Sequence, residues 1–226
     1  MLDNQNLEIT RHSLAHVLMQ ALIRLYKATP GVGPFIEDGF YHDFKATKQI
    51  SNDNLLAIEK EMRKIIAENL PITKSVLNID AGIELLNEKN YLLTKELAED
   101  LKVKGEKEIS FYAQGEFINM CKGPHVASTK TINPEAFKLT RVAGAYWKGN
   151  EKNEMIQRIY GIAFNTKEEL ENHIKMLDEA AKRDHRILGE QLDLFMISDQ
   201  VGKGLPLWLP NGAFIRKKLE DYMYEK

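Results

Sequence analysis

Apolar residues recur at helical spacing near the start of the chain, and this pattern predicts an amphipathic helix over about residues 7–26. Its apolar positions are Leu14, Val17, Leu18, Ala21, Leu22 and Leu25. His12 and His16 lie beside this stripe, and residues four apart share one face of a helix. The pattern therefore predicts a helix that presents two imidazoles near its start.

The middle of the chain alternates between helical and β patterns. Helices are predicted over residues 51–70, where Pro71 ends the first, and over residues 80–88, where Asp80 can cap the second. Residues 91–107 are compatible with a helix around residues 94–101 or with a loop. Strands are predicted over residues 72–79, 109–112, 116–121, 137–147 and 155–164.

Asp38-Gly39, between aromatic and β-branched residues, predicts a hairpin whose tight turn favours positive φ. Helices that alternate with antiparallel hairpins predict an α+β fold, with antiparallel sheets and packed helices, and not a parallel βαβ array.

A second region is predicted from about Asn165. Thr166 and Glu169 form a capping box for a charged connecting helix over residues 166–190. Short strands at residues 191–198 and 205–209 precede a helix from Ala213 to the last residue. Such a stretch of about 35 residues is too short for an independent core, so we interpret residues 191–226 as the opening of a larger domain.

Composition narrows the class of protein. The 226 residues are 43% hydrophobic and 28% charged with a net charge of −2, so no global basic surface for nucleic acid exists. The single cysteine excludes an intrachain disulfide and fits a reducing compartment. With neither a long apolar run nor a secretory signal pattern, we expect a cytoplasmic protein without membrane contact.

Two matching motifs carry the candidate chemistry. His12 and His16 form an HxxxH motif, and Cys121 and His125 form a CxxxH motif around the turn formers Gly123-Pro124. Two His with Cys and His is a ligand set that tetrahedral zinc accepts. The same groups also work without metal, as general base and as orienting groups for an ester and its attacking water. A Cys-His nucleophile is a third reading, which needs an orienting Asp or Asn.

Several longer segments resemble the threonyl-tRNA synthetase family over nearly the whole chain. They are RHSLAHVLMQAL, GPFIEDGFYHDF, MCKGPHV, RVAGAYWKGN, QRIYGIAF and GLPLWLPNGAFIRKKLEDY. The resemblance implies an editing domain at residues 1–165, a linker helix at 166–190, and at 191–226 the start of a class II catalytic domain with its motif 1 helix. It also implies a fragment that cannot aminoacylate alone. The full-length enzyme attaches threonine to tRNA(Thr) with ATP and Mg, carries a catalytic-domain zinc and is a homodimer; for the fragment the oligomeric state stays open.

The resemblance also implies a role for the four-residue cluster. His12, His16, Cys121 and His125 would hold the serine and terminal adenosine of a mischarged seryl-tRNA and position water, without an obligatory metal or other cofactor. Editing is needed because the missing methyl of serine gives a pocket only about 1–3 kcal/mol of discrimination. Related alanyl-tRNA editing domains hold zinc with a similar set, so a zinc-dependent aminoacyl-tRNA deacylase is an alternative.

Two departures from the family pattern give a further alternative. Asn119, expected to contact substrate, stands where the family has Asp, and Leu92 stands where it has Lys. Both family residues are thought to help hydrolysis, so the domain is alternatively a tRNA-docking module with impaired editing.

RNA contacts are expected from a later segment, where Arg141 and Lys148 would bind phosphate while Tyr146 and Trp147 stack on a base. The alternative is that at least one of these two aromatic residues packs on the sheet.

Overall fold

The computed structural model describes residues 2–202 and 204–225, and the chain divides into two compact units, Met1–Leu170 and Glu171–Lys226. The first unit begins with helix α1 (Leu2–Tyr26) and short strands β1 (Thr29–Pro30) and β2 (Phe35–Ile36). Further elements are β3 (Gly39–Lys45), α2 (Leu55–Ala67), β4 (Ile72–Asn78), α3 (Ile79–Glu88), α4 (Leu92–Val103), β5 (Glu108–Gln114), β6 (Phe117–Met120), β7 (Phe137–Tyr146) and β8 (Met155–Ala163).

The strands form two antiparallel sheets in this unit. The first sheet has the order β1-β3-β8-β7, with β2 paired to β3, and the second has the order β4-β5-β6. Every pairing between these strands is antiparallel. The predicted α+β fold with antiparallel sheets and packed helices is therefore confirmed.

The main core lies between α1, α2 and the first sheet. Helix α1 buries its apolar positions from Leu14 to Leu22, and α2 buries Ile58, Met62 and Ile65 against it. The sheet contributes Phe40 and several other fully or nearly fully buried apolar side chains: Phe44, Phe137, Leu139 and Ile159. This packing holds α1, and hence its histidines, in one position.

The hairpin at Asp38-Gly39 forms, but the reason we gave for it is wrong. Strand β2 pairs with β3 through Ile36 and Gly39, and neither Asp38 nor Gly39 has a positive φ. Glycine is required instead by a close approach, because a Cβ at Gly39 would lie 1.9 Å from the carbonyl oxygen of Gly161. The sequence pattern thus located the turn and misidentified its constraint.

The ends of several helices differ from the prediction. Helix α1 begins at Leu2 and not at about residue 7, and α2 is shorter than the predicted 51–70. Asn78, and not Asp80, caps α3, because its side chain accepts a hydrogen bond from the backbone N–H of Asp80 at 3.0 Å. The ambiguous segment after Tyr91 is a helix, α4. The helix predicted over residues 166–190 is two helices, α5 (Lys167–Lys182) and α6 (His185–Gln191). Asp184 starts the second one by accepting from the N–H of Arg186 at 2.8 Å.

The capping box at the start of α5 forms as predicted. The N–H of Glu169 donates to Thr166 Oγ1 at 3.2 Å, and the N–H of Thr166 donates to Glu169 Oε2 at 3.4 Å. Helix α5 crosses the division between the two units.

The second unit has little buried apolar surface. Beyond α5 and α6 it contains the hairpin of β9 (Phe195–Ile197) and β10 (Pro206–Trp208), and helix α7 (Pro210–Tyr224). Helix α7 begins three residues before the predicted Ala213; the predicted end, Lys226, lies outside the described residues. Within the described part of this unit the buried residues are Gly189 and Gly212, so no large side chain forms a core. Across residues 2–202 and 204–225, no helix is long and apolar enough to cross a membrane.

Replacing Met62 with Ala should lower the free energy of unfolding of the first unit by about 2–5 kcal/mol, because a fully buried side chain leaves a cavity. Leu56→Ala on the same helix, where the side chain is 77% exposed, is the matched control and should change it by less than about 0.5 kcal/mol. Urea unfolding followed by Trp147 fluorescence in a Trp208→Phe background measures the first unit. Equal losses in the two variants would contradict the packing described here.

Candidate active site

The two motifs meet at one place in the first unit. Helix α1 supplies His12 and His16, and the turn that follows β6 supplies Cys121 and His125. One ligand atom from each of the four side chains lies within 4.8 Å of the others. Residues separated by more than a hundred positions thus form a single cluster of three imidazoles and a thiol.

The thiol of Cys121 lies at the centre of the hydrogen bonding. Its Sγ is 3.2 Å from His12 Nε2 and 3.3 Å from His125 Nε2, and it accepts from the N–H of Gly123 at 3.3 Å. His12 Nδ1 lies 3.2 Å from the carbonyl oxygen of Pro124. Because a carbonyl only accepts, His12 carries its proton on Nδ1 and turns the lone pair of Nε2 toward the sulfur.

His16 packs behind this pair. Its ring centroid is 4.1 Å from that of His125 and 5.5 Å from that of Phe117, and the residue is 2% exposed. Its Nδ1 is buried and has no hydrogen-bond partner in the described part of the chain. His16 therefore supplies a nitrogen that a ligand is able to engage.

Two residues outside the motifs position His125. Ser13 Oγ is 3.1 Å from His125 Nδ1, and the Tyr112 ring centroid is 4.5 Å from that of His125. The turn passes so close to this tyrosine that a Cβ at Gly123 would lie 2.1 Å from its hydroxyl, and Gly123 has a φ of 73°. Glycine is therefore required at this position for two separate reasons.

His42 is a fourth histidine near the cluster, and our sequence analysis missed it as a site residue. It is fully buried, its Nδ1 lies 2.7 Å from the carbonyl oxygen of Asp43, and its Nε2 has no partner among the described residues. A Cβ at Gly33 would lie 2.8 Å from this nitrogen. The alternation that buries Phe40 and Phe44 on β3 also turns position 42 inward, and this was the available signal.

Burial governs the protonation of the site. It lowers the pKa of His16 well below the ordinary value, lowers that of His125 to about 3 and that of His42 to about 4, and lowers that of His12. Neighbouring imidazoles lower the pKa of His16, His42 and His125 further, because a second positive charge is repelled. Burial also raises the pKa of the Cys121 thiol. The resting cluster therefore consists of neutral imidazoles and a protonated thiol.

A cleft of about 370 Å³ opens beside the cluster. One wall is the segment Gly31–Pro34, which is held to β3 because the N–H of Gly31 donates to Asp43 O at 2.8 Å and the N–H of Asp43 donates to Val32 O at 2.7 Å. The remaining lining residues are His12, His16, Thr94, Leu97, Asn119, Met120, Cys121 and Lys122. The cleft is thus lined by His12, His16 and Cys121 of the cluster, whereas His125 is not among its lining residues.

The two positions that depart from the family pattern lie in different places. Asn119 lines the cleft, is buried, and its Oδ1 accepts from the N–H of Met120 at 2.9 Å. Leu92 is 60% exposed at the start of α4 and lies outside the residues that line the cleft. Lys95, three residues after Leu92 on α4, donates to Asn87 Oδ1 at 2.9 Å. Of the two expected departures, Asn119 is therefore the one that lies in the cleft.

The expected RNA-contacting residues are mostly occupied within the protein. Trp147 is 3% exposed and its Nε1 donates to Glu96 Oε2 at 2.9 Å, so the alternative of packing applies to it. Lys148 pairs with Glu96 at 2.6 Å and with Asp100. Arg141 lies 4.4 Å from the ring centroid of Tyr160, and Tyr146 is 45% exposed. A base is thus able to reach Tyr146, whereas Trp147 is covered.

The donor set of the cluster fits zinc in kind. Three imidazoles and one thiol are ligand types that zinc accepts, and their ligand atoms are mutually close. His12 has the second contact that metal-bound histidines usually have, through Nδ1 to Pro124 O. Zinc binding would require Cys121 to lose its proton.

Comparison with known proteins identifies the relatives of this chain. Residues 109–160 match the family described as "Threonyl and Alanyl tRNA synthetase second additional domain". This matched range includes Cys121 and His125. The chain is 50% identical over 226 residues to "Threonine--tRNA ligase 2" of Bacillus subtilis, covering 99% of this chain and 35% of the relative. It is 50% identical over 222 residues to "Threonine--tRNA ligase" of Streptococcus gordonii, covering 97% and 34%. The corresponding enzyme of Carboxydothermus hydrogenoformans is 46% identical over 225 residues, covering 99% and 35%. The chain thus spans about a third of the length of these relatives.

We expect the first unit to lose stability as the pH falls below about 6.5, where an unfolded chain takes up protons on histidine. In the folded state the pKa values of His42 and His125 are about 4 and 3, so these residues stay neutral at pH 5–6. The unfolded state therefore binds more protons, and the free energy of unfolding falls until the pH reaches those pKa values. Urea unfolding at pH 7, 6 and 5 measures the slope, and His42→Phe should flatten it. Histidine Cε1–H resonances of these two residues that titrate near pH 6.5 would contradict the buried, neutral state.

Proposed function

We propose that this chain, which belongs to the threonyl-tRNA synthetase family, hydrolyses the aminoacyl ester of mischarged seryl-tRNA. The observation that carries the proposal is the neutral cluster beside the cleft, where the thiol of Cys121 lies 3.2–3.3 Å from Nε2 of His12 and of His125. The matched relatives are threonine--tRNA ligases, and the matched domain is the editing domain of such enzymes.

The need for a second, hydrolytic site follows from the size of the discrimination. Serine differs from threonine by one methyl group, and a missing methyl in a binding pocket changes affinity by only about 1–3 kcal/mol. A synthetic site alone would therefore accept serine at a level that hydrolysis has to correct. The proposed substrates are thus seryl-tRNA and the acceptor end of tRNA(Thr).

The proposed reaction needs a base, a water and an ester held together. An imidazole Nε2 takes a proton from water while the water oxygen attacks the ester carbonyl carbon. The bond between that carbon and the ribose oxygen then breaks, and the imidazolium returns a proton to the ribose oxygen. The products are serine and tRNA with a free 3′ end. A neutral imidazole is able to accept the proton, whereas a protonated ring is not, but the pKa of about 3 makes His125 a weaker base than an exposed histidine.

The other residues have supporting places in this proposal. His16 presents a buried nitrogen without a partner in the described chain, and Asn119 lines the same cleft, so we assign both to binding of the substrate. Arg141 and Tyr146 are exposed enough to contact RNA. Trp147 and Lys148 act indirectly, by holding α4 in place.

The alternative of a tRNA-docking module with impaired editing rests on Asn119. An amide in the cleft cannot take a proton from water as a carboxylate does, so the reaction depends on the imidazoles alone. Binding of tRNA without hydrolysis is therefore one outcome of the assay described below.

The remaining functions belong to longer relatives. Because the chain spans 34–35% of them, attachment of threonine to tRNA with ATP, Mg and a catalytic zinc, and assembly as a homodimer, are proposals for a longer protein. We place the proposed activity in the cytoplasm, where tRNA is charged, and assign the fragment no required cofactor.

His125→Ala should lower the rate constant for release of serine from seryl-tRNA by at least about 100-fold, because a general base contributes about 10²–10⁴-fold. His12→Ala should have an effect of the same order. Val103→Ala on α4, where the side chain is 89% exposed, is the control and should leave the rate unchanged. Release of radiolabelled serine at pH 7.5, compared with buffer, is the measurement.

A wild-type rate equal to that of buffer would refute hydrolysis. If seryl-tRNA binds in a filter assay while no serine is released, the docking module is the correct reading. Asn119→Asp then tests why hydrolysis is absent. The substitution should restore release of serine only if the cleft lacks a carboxylate.

We expect the chain to keep its hydrolytic activity after dialysis against a chelator, with well under one zinc per chain by elemental analysis. The reason is that the proposed hydrolysis uses only imidazole lone pairs and a water molecule, so no step of it needs a metal. Stoichiometric zinc, together with loss of activity on chelation and recovery on adding zinc, would instead establish the zinc-dependent deacylase.

A further inference from the structure

The contact distances within the cluster indicate which nitrogen of each histidine carries the proton. Neutral imidazoles carry one N–H and one lone pair, and the thiol carries one proton. His12 carries its N–H at Nδ1, toward Pro124 O, so its Nε2 lone pair faces Cys121 Sγ at 3.2 Å. His125 also directs Nε2 at the same sulfur, at 3.3 Å. The tautomer of His125 therefore decides whether its Nε2 is a donor or a base.

The other nitrogen of His125 faces Ser13. Ser13 Oγ makes three contacts: 2.8 Å to the carbonyl oxygen of Ile9, 3.0 Å to the N–H of Val126 and 3.1 Å to His125 Nδ1. Val126 only donates and Ile9 O only accepts, whereas His125 Nδ1 is able to do either. Ser13 has a single proton, and its shortest contact is the one to Ile9 O.

A hydroxyl in a helix commonly donates to the carbonyl oxygen four residues earlier, which is the contact between Ser13 and Ile9. The two lone pairs of Ser13 Oγ then accept from Val126 N–H and from His125 Nδ1–H. In this arrangement all three contacts are satisfied hydrogen bonds. Each arrangement leaves one contact of the cluster without a proton. With Ser13 donating to Ile9 O, it is one of the two contacts of 3.2–3.3 Å between Cys121 Sγ and an Nε2 atom. With Ser13 donating to His125, it is the contact of 2.8 Å to Ile9 O, where the lone pairs of two oxygens would meet at a shorter distance, so the first arrangement is favoured.

We propose that Ser13 is a positioning residue that fixes His125 as the Nδ1–H tautomer, so that its Nε2 presents a lone pair to the site. Pro124 O does the same for His12. Two lone pairs then face one thiol proton, which hydrogen-bonds to only one of them at a time. The second imidazole is left free to accept a proton from water.

The effect of Ser13 on catalysis rests on the proposed hydrolysis, whereas the tautomer of His125 follows from the hydrogen bonds alone. When His125 takes a proton, its Nδ1–H still donates to Ser13 Oγ, and no other hydrogen bond has to reverse. Ser13 thus plays the part that a carboxylate plays in many catalytic sites, as a neutral acceptor that orients the base. A buried carboxylate next to neutral groups would cost more than a hydroxyl.

The first test reads the tautomer directly and requires no variant. Long-range ¹H–¹⁵N correlation of the folded wild-type chain at pH 7.5 should show His125 with a protonated Nδ1 and an unprotonated Nε2. An Nε2–H tautomer in the wild type would overturn the proposal, whether or not the chain hydrolyses seryl-tRNA. The proposed function and this inference therefore fail separately.

The second test removes the acceptor. Ser13→Ala should shift His125 toward the Nε2–H tautomer, which is able to donate to Cys121 Sγ, and should lower kcat for serine release by about 10–100-fold with KM little changed. Ser13→Thr, which keeps the hydroxyl, should retain the Nδ1–H tautomer. Thr10→Ala is the matched control. The Thr10 hydroxyl also donates to the carbonyl oxygen four residues earlier, that of Asn6 at 2.9 Å, but among the described residues it makes no hydrogen bond to a histidine.

A folded Ser13→Ala chain with the wild-type tautomer and kcat would refute the role of Ser13, as would equal losses of kcat in Ser13→Ala and Thr10→Ala. Thermal unfolding of each variant identifies a chain that is simply destabilised. In that case the wild-type tautomer decides the question.

Discussion

Helix α1 is buried along one side and carries polar groups that each need a partner there. A buried polar group without one costs about 1–3 kcal/mol, so these partners constrain the fold. Arg11 Nε donates to Ala163 O at 2.9 Å, Ser13 Oγ accepts from Val126 N–H at 3.0 Å, and Gln20 Oε1 accepts from Gln114 Nε2 at 2.5 Å. One helix is thereby tied to β8, to the turn after β6 and to β5. The position of the histidines follows from these three attachments.

Helix α4 forms part of the wall of the cleft. Trp147 and Lys148, for which the sequence suggested RNA binding, hold this helix in place. Thr94 and Leu97 line the cleft, while Leu93 packs against Trp147 at the end of β7. Glu96 accepts from Trp147 Nε1 and pairs with Lys148. Trp147 and Lys148 therefore support the wall of the cleft that α4 forms.

The sequence was sufficient to predict most elements of the first unit because helical and alternating patterns persist over many residues. Two motifs of equal spacing also indicated that His12, His16, Cys121 and His125 belong together, and one ligand atom of each lies within 4.8 Å of the others. The alternation on β3 indicated that His42 points inward, but it could not show that this ring lies against Gly33, and the role of Asn78 as a cap was also missed. Nor could the sequence tell that Trp147 is covered and Leu92 lies off the cleft, because both depend on how α4 packs against a strand more than forty residues away in sequence.

The imidazole lone pairs of the cluster would serve a metal-free site and a zinc site equally. The two sites differ in the thiol proton of Cys121, which zinc binding would remove. Neutral imidazoles are ready ligands, and burial keeps His12 and His125 neutral. Burial acts in the opposite direction on Cys121, because it raises the pKa of the thiol and so opposes the thiolate that zinc requires. Against this, the N–H of Gly123 donates to Sγ and favours the anion. Zinc binding would release the thiol proton of Cys121, whereas the metal-free reaction needs only a free imidazole lone pair. Loss of that proton is therefore the change that separates the metal-free cluster from a zinc-bound one.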